Sequence, residues 1–91
     1  GGLTALMNYL RVNIRYPAAA QKAGIEGRVI VSFIVEPNGS VSNVEIVRSV
    51  DTDLDQEALR VVRQMPKWKP GKQDGSTVRV KFHLPIKFML V

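Results

Sequence analysis

The most constraining feature of this sequence is a strict alternation of apolar and polar residues close to its end. The apolar members of the series are Val78, Val80, Phe82, Leu84, Ile86 and Phe88. Successive side chains of a β-strand point to opposite faces, so the alternation predicts one strand from Ser76 to Phe88, with one face on the core and the other in water. Pro85 has no N–H to donate to a ladder, which confines it to an edge strand or a bulge.

A long edge strand has two interpretations. Charges such as Arg79, Lys81 and Lys87 discourage an exposed edge from pairing with other chains. A free edge is also a template on which a partner can add a strand through backbone hydrogen bonds. The alternation alone leaves both open: a protected edge or a docking site.

Two earlier segments predict a β-hairpin that completes the sheet. Residues 27–36 are apolar on both faces, which predicts a central strand covered on both sides. Asn38-Gly39 favours the positive φ of a tight turn, and residues 41–50 form the return strand.

Helical spacing and end signals predict three helices. The first covers residues 3–14 and buries a stripe of Leu3, Leu6, Met7, Leu10 and Ile14. The second covers residues 18–23, between Pro17 and a left-handed stop at Gly24. The third covers residues 51–65, where Asp53 is predicted to cap the first turn and Pro66 to end the helix.

These elements predict one α+β domain over residues 1–91: a three-stranded antiparallel sheet packed with two or three helices, with the last strand on a free edge. A chain of 91 residues suffices for one core and leaves little room for a deep catalytic cleft.

The residue types that carry catalysis or bind metals are scarce. Cysteine is absent, and His83, the single histidine, falls on the polar face of the last strand. Asp51, Asp53 and Asp55 alternate as in a calcium loop, but the required Gly and Glu are missing downstream. We therefore expect no enzyme activity, no cofactor and no metal.

Positive charge is concentrated in the last third of the chain. The net charge is +5, and Asp74 is the only acidic residue beyond position 59. This pattern suits an acidic partner, a phosphate-rich surface or a merely solvated face. Polyanion or nucleic-acid binding through Lys67, Lys69 and Lys72 is an alternative function, although Trp68 between them is better explained as a lid on the core.

Short motifs occur in a fixed order along the chain. They are Tyr16-Pro17, Ile25-Glu26-Gly27, Pro37-Asn38-Gly39, Trp68, Pro70-Gly71 and Leu84-Pro85-Ile86. In this order and spacing, the stretch from Tyr16 to Phe88 resembles the C-terminal domain of the TonB family of energy transducers, in particular the forms from Bacteroidetes.

The resemblance implies a periplasmic domain of an inner-membrane-anchored protein. Its last strand would pair with the TonB box of an outer-membrane TonB-dependent receptor and so couple the proton gradient to nutrient uptake. An ExbB/ExbD-type motor would act through an N-terminal anchor and linker, which we expect upstream of Gly1. A membrane sensor or peptidase-like protein that ends in the same module is an alternative, and no nucleic acid is expected.

The resemblance also implies which residues meet the partner. On the last strand they are Thr77, Val78, Arg79, Val80, Lys81, Phe82, His83 and Leu84. Beside it lie Asn13, Arg15, Tyr16 and Pro17. Well-known members of the family carry an Arg where this chain has Ala19, so that contact does not transfer. A weak homodimer through the free edge is a further expectation.

Overall fold

The computed structural model describes residues 2–68, 71–73 and 75–90, in which three helices and five strands follow one another. The helices are α1 (Gly2–Asn13), α2 (Ala18–Lys22) and α3 (Thr52–Arg63). The strands are β1 (Gly27–Val35), β2 (Val41–Arg48), β3 (Gly71–Gln73), β4 (Ser76–Val78) and β5 (Val80–Phe88). None of the helices described is long and apolar enough to cross a membrane.

The main sheet has three antiparallel strands in the order β2–β1–β5. The β1–β5 pairing runs without interruption from Gly27 opposite Phe88 to Val35 opposite Val80. This confirms the predicted sheet, with the most apolar strand in the middle and the last strand at an edge. Among the described residues, β5 pairs with β1 alone.

The prediction of one continuous strand from Ser76 to Phe88 is wrong, because Arg79 separates β4 from β5. β1 ends at Val35, opposite Val80, so residues before Val80 have no partner in β1. They fold back instead, and β4 pairs with β3 in a separate two-stranded sheet. Pro70 and Asp74, predicted as loop residues, lie outside the described ranges, while the segment between them contains β3.

The turn between β1 and β2 is the predicted one. Gly39 has φ +86°, and its N–H donates to the Glu36 carbonyl at 2.8 Å. The Asn38 side chain accepts from the Ser40 N–H at 2.9 Å. β2 then shifts register twice against β1, once around Asn43, whose φ is +48°, and it ends at Arg48 rather than at position 50.

The residue that caps helix α3 lies two positions earlier in the chain than predicted. The Asp51 carboxylate accepts from the backbone N–H of Asp53 at 3.0 Å and of Leu54 at 3.3 Å. Asp51 is therefore the cap, and the assignment to Asp53 is wrong. The backbone of Asp51 is extended (φ −157°, ψ 146°), which places its side chain over the free N–H groups of the first turn.

The core lies between the helices and one face of the sheet. That face presents Val29, Val31, Phe33 and Val35 of β1 to Leu54, Ala58, Val61 and Val62 of α3 and to Leu6 and Leu10 of α1. Met7, predicted in the buried stripe of α1, is 50% exposed. On the opposite face Ser32 is buried but Ile30 and Ile34 are only half-buried, so the prediction that β1 is covered on both sides holds only in part.

Candidate functional site

The outer edge of β5 presents the backbone groups of alternate residues. The Glu36 N–H donates to the Ser40 carbonyl at 2.8 Å. The backbone N–H and C=O groups of even-numbered β1 residues therefore point to β2, and those of odd-numbered residues point to β5. Pro85 is opposite Ile30, an even-numbered residue, so the backbone carbonyl of Pro85 points away from β1. By the same alternation, Lys81, His83 and Lys87 direct both N–H and C=O outward, while Pro85 offers only its C=O.

The two faces of β5 differ in what they present beside this edge. On the core face, Leu84, Ile86 and Phe88 are buried. On the open face the side chains of Lys81, His83, Pro85 and Lys87 are exposed. A partner strand at the outer edge would therefore meet neither the side chain of Leu84, which is buried, nor its backbone N–H and C=O, which point to β1.

An aromatic cluster closes the core face at the start of β5. Phe82 is stacked on Phe33, with ring centroids 5.8 Å apart, and the Trp68 ring contacts both, with centroids 5.2 Å from Phe82 and 5.8 Å from Phe33. Phe82 remains 37% exposed, which leaves an apolar surface at the edge. Trp68 is half-buried against the core, so its role is that of a lid, as the sequence predicts.

Arg79 is held by Glu36 at the end of β1. Its Nε lies 2.8 Å from Oε1 of Glu36, and the Ser42 hydroxyl donates to the same carboxylate. The hydrogen bond from Arg79, then that from Ser42, holds the pKa of Glu36 below its ordinary value. Arg79 is thus already partnered within the chain, although it was predicted to contact a partner.

Thr77 and Val78 do not belong to the same edge as the rest of the predicted site. They pair with Lys72 and Gly71 in the β3–β4 sheet. Any contact that they make with a partner would therefore come from the hairpin beyond Arg79, not from the main sheet.

The segment from Asn13 to Pro17 is fixed to α3 and to the far end of β5. The Arg15 N–H donates to the Glu57 carboxylate at 2.6 Å, and the Arg60 guanidinium donates to the Asn13 carbonyl at 2.8 Å. The Tyr16 ring meets Phe88 edge-on, with centroids 5.6 Å apart. Pro17 is half-buried at the start of α2.

Glu57 organises this attachment. Its carboxylate also accepts from Arg60 at 2.7 Å. Burial of the carboxylate acts to raise its pKa, but hydrogen bonds from the Arg60 guanidinium and the Arg15 amide outweigh burial and hold the pKa below its ordinary value. The charged form is thereby favoured in the folded protein.

The predicted site residues consequently form two groups rather than one. Tyr16 lies beside Phe88, whereas Arg79 and Val80 lie at the opposite end of β5. With a rise of about 3.3 Å per residue, the first and last Cα atoms of the nine-residue strand β5 are about 26 Å apart. A bound segment would touch both groups only if it followed the whole strand.

Pro85 and Lys87 were not named as individual contacts, although they are outward-facing residues of the last strand, which the alternation predicted as an edge. Trp68, which lies beside the edge, was not named as a contact either. The sequence around Trp68 did not indicate its contact with Phe82, because that contact depends on how the chain after α3 returns to the β1–β2 turn. Within the described residues, no group of three or more acidic or histidine side chains could hold a metal ion.

Comparison with known families gives a match over most of the chain. Residues 12–90 match the family model described as the Gram-negative bacterial TonB protein C-terminal. The TonB protein of Vibrio cholerae is 37% identical over 81 residues, which is 88% of this chain and 33% of that protein. The TonB protein of Helicobacter pylori is 39% identical over 77 residues, 84% of this chain and 26% of that protein. The chain thus spans about a third or less of these relatives.

Solved structures show the same fold. The solution structure of the Helicobacter pylori TonB C-terminal domain (residues 179–285 of that protein) superposes with a TM-score of 0.75 and 28% identity, covering 99% of this chain and 81% of that one. The Pseudomonas aeruginosa TonB C-terminal domain superposes with a TM-score of 0.64 and 26% identity, covering 84% and 77%.

Proposed function

Because this chain belongs to the family of Gram-negative bacterial TonB C-terminal domains, we propose that it binds an extended segment, the TonB box, of an outer-membrane TonB-dependent receptor. The segment adds to the outer edge of β5 as a further strand. The observation that carries the proposal is the row of outward N–H and C=O groups at Lys81, His83 and Lys87 on a strand with β1 as its only described neighbour.

The side chains around the edge define what the segment presents. On the core face an apolar residue would pack on the exposed part of Phe82, beside Trp68. On the open face Lys81 and Lys87 would favour polar or acidic residues. About five backbone hydrogen bonds of about 0.5–1.5 kcal/mol each, less the free energy of ordering the segment, correspond to binding at about the micromolar level.

Binding at this level suits a contact that forms and breaks repeatedly. The domain would act in the periplasm at the end of an inner-membrane-anchored protein and would pass force from an ExbB/ExbD-type motor to the receptor. Tension along two paired strands loads their hydrogen bonds together rather than one at a time. Energy coupling therefore requires no catalytic group in this domain, and we propose that it is not an enzyme.

Titration of the isotope-labelled domain with a receptor TonB-box peptide tests this function. We expect the largest amide shifts at Lys81, His83 and Lys87, and little change along β2. Shifts concentrated on β2, or none on β5, would contradict pairing at this edge.

Two substitutions at His83 separate backbone from side-chain recognition. His83→Pro removes an outward N–H without removing a hydrogen bond to β1 and should weaken peptide binding about two- to tenfold. His83→Ala keeps the N–H and should bind as the wild type does. Equal weakening by both variants would mean that the side chain, not strand pairing, is recognised.

A further inference from the structure

An open depression of about 540 Å³ lies at the end of the sheet where β1 begins and β2 and β5 end. Its charged lining comprises Arg28, Arg48, Lys87 and Glu26, and its apolar lining includes Val50 and Met89. The depression is at the opposite end of β5 from the Phe82–Trp68 cluster.

The three cations of this depression are close together on the open face of the sheet. Arg28 is directly opposite Lys87, and Arg48 is opposite Ile30, two residues further along β1. Like charges directly opposite each other on neighbouring strands are destabilising. The ion pairs among the described residues are Arg60–Glu57 and Arg79–Glu36, so none of the three is in an ion pair there.

Glu26 neutralises this cluster only in part. Its Oε2 accepts from the Leu90 N–H at 2.8 Å, which directs the carboxylate to the backbone. The arrangement therefore retains unfavourable repulsion, and an anion placed between the cations would relieve it.

Aliphatic side chains border the same cations. Met89 is 57% exposed and Val50 is 38% exposed. An acidic peptide would satisfy the cations but would give these apolar surfaces no defined partner. The surface of an anionic bilayer offers phosphate groups and an acyl boundary side by side.

We propose that this end of the sheet binds the headgroup of an anionic phospholipid, with the phosphate between Arg28, Arg48 and Lys87. Val50 and Met89 lie against the acyl boundary. The site shares Lys87 with the outer edge of β5, but Arg28 and Arg48 belong to β1 and β2 and take no part in strand addition there. Contact with a membrane surface orients the domain with its Phe82 end away from the bilayer.

Vesicle flotation tests this site. We expect the domain to float with vesicles of phosphatidylcholine and phosphatidylglycerol but not with phosphatidylcholine alone. Arg28→Gln and Arg48→Gln should each weaken binding about fivefold. Met89→Ser should also weaken it, because it removes apolar contact without changing charge.

A matched control distinguishes a specific lipid site from general electrostatic attraction between a basic protein and an anionic membrane. Lys67→Gln removes an exposed cation beside Trp68, at the other end of the molecule, and should leave vesicle binding unchanged. The proposal is overturned if Lys67→Gln weakens binding as much as Arg28→Gln, if phosphatidylglycerol has no effect, or if a polyglutamate peptide binds with the same dependence on Arg28 and Met89. Thermal unfolding shows that the variants fold, and Arg28→Gln should be at least as stable as the wild type because it removes a like-charge pair.

Discussion

The backbone of Trp68 closes directly onto Gly39 in the β1–β2 turn. The Trp68 N–H donates to the Gly39 carbonyl at 2.7 Å, and a Cβ at position 39 would come within 2.1 Å of the Trp68 carbonyl oxygen. This contact joins the hairpin to the chain that leaves α3, and it places the indole ring on Phe82. The aromatic end of the β5 edge thus depends on a glycine in a distant turn.

We expect Gly39→Ala to lower the free energy of unfolding by more than the about 1–2 kcal/mol that a left-handed backbone costs a residue with a Cβ. The excess comes from displacing Trp68. Gly24→Ala is the matched control, since Gly24 has φ +69° but no atom within 4 Å of an added Cβ. Chemical denaturation of the two variants measures the difference, and equal losses would mean that the Trp68 contact contributes nothing.

A second prediction concerns the cap of α3. Asp51→Ala removes the acceptor of two backbone N–H groups and should lower the free energy of unfolding by about 0.5–2 kcal/mol. Asp53→Ala removes only a charge near the helix start and gains helix propensity, so its effect should be close to zero. Chemical denaturation of the two variants measures the difference. A larger loss of unfolding free energy for Asp53→Ala would mean that Asp53, not Asp51, caps the helix.

Helices and strands were predictable from the sequence where the pattern of apolar residues within the segment itself specifies them. The apolar residues of β1 and the stripe of α3 specify their elements through periodicity alone. The end of the last strand was not predictable in this way, because β5 begins only where Val35 of β1 is available to pair with Val80. The cap of α3 was missed for a related reason: the backbone angles of Asp51, not the residue type, decide which Asp covers the first turn.

In the candidate site, too, the features that belong to a single strand were predictable, and the contacts between distant residues were not. Alternation and Pro85 located the edge, because both follow from the chemistry of a single strand. The attachment of Arg15 to Glu57 and of Trp68 to Gly39 involves residues distant in sequence, so no local pattern indicated it.

Acid sensitivity is the third prediction. The pKa of Glu57 is lower in the folded protein than its ordinary value of 4.5. A carboxyl with a lowered folded pKa stabilises the fold above its unfolded pKa, and this contribution is lost as the pH falls through the folded value. Stability should therefore decline below about pH 5.

Glu57→Gln should remove part of this decline and should lower the free energy of unfolding near neutral pH by about 1–3 kcal/mol, because charge-assisted hydrogen bonds are lost. Arg15→Ala keeps the backbone donor and should retain most of the pH dependence. Urea titrations at neutral and acid pH provide the measurement. An unchanged pH profile in Glu57→Gln would show that the pKa of Glu57 is not lowered in the folded protein.

The fourth prediction concerns Pro85 as the gap in the outward edge of β5. With proline at this position, the edge offers N–H groups at Lys81, His83 and Lys87 but not between the last two. Pro85→Ala restores the missing donor and makes the row continuous. The edge then becomes a better template for a second copy of the chain, and we expect self-association to strengthen about tenfold, corresponding to two restored hydrogen bonds per dimer. Sedimentation equilibrium measures this directly.

Pro37→Ala makes the same chemical change in the β1–β2 turn, away from this edge, and should associate as the wild type does. If Pro85→Ala remained as monomeric as Pro37→Ala, the missing N–H would not be what keeps the edge unpaired, and the charges of Lys81 and Lys87 would have to account for it.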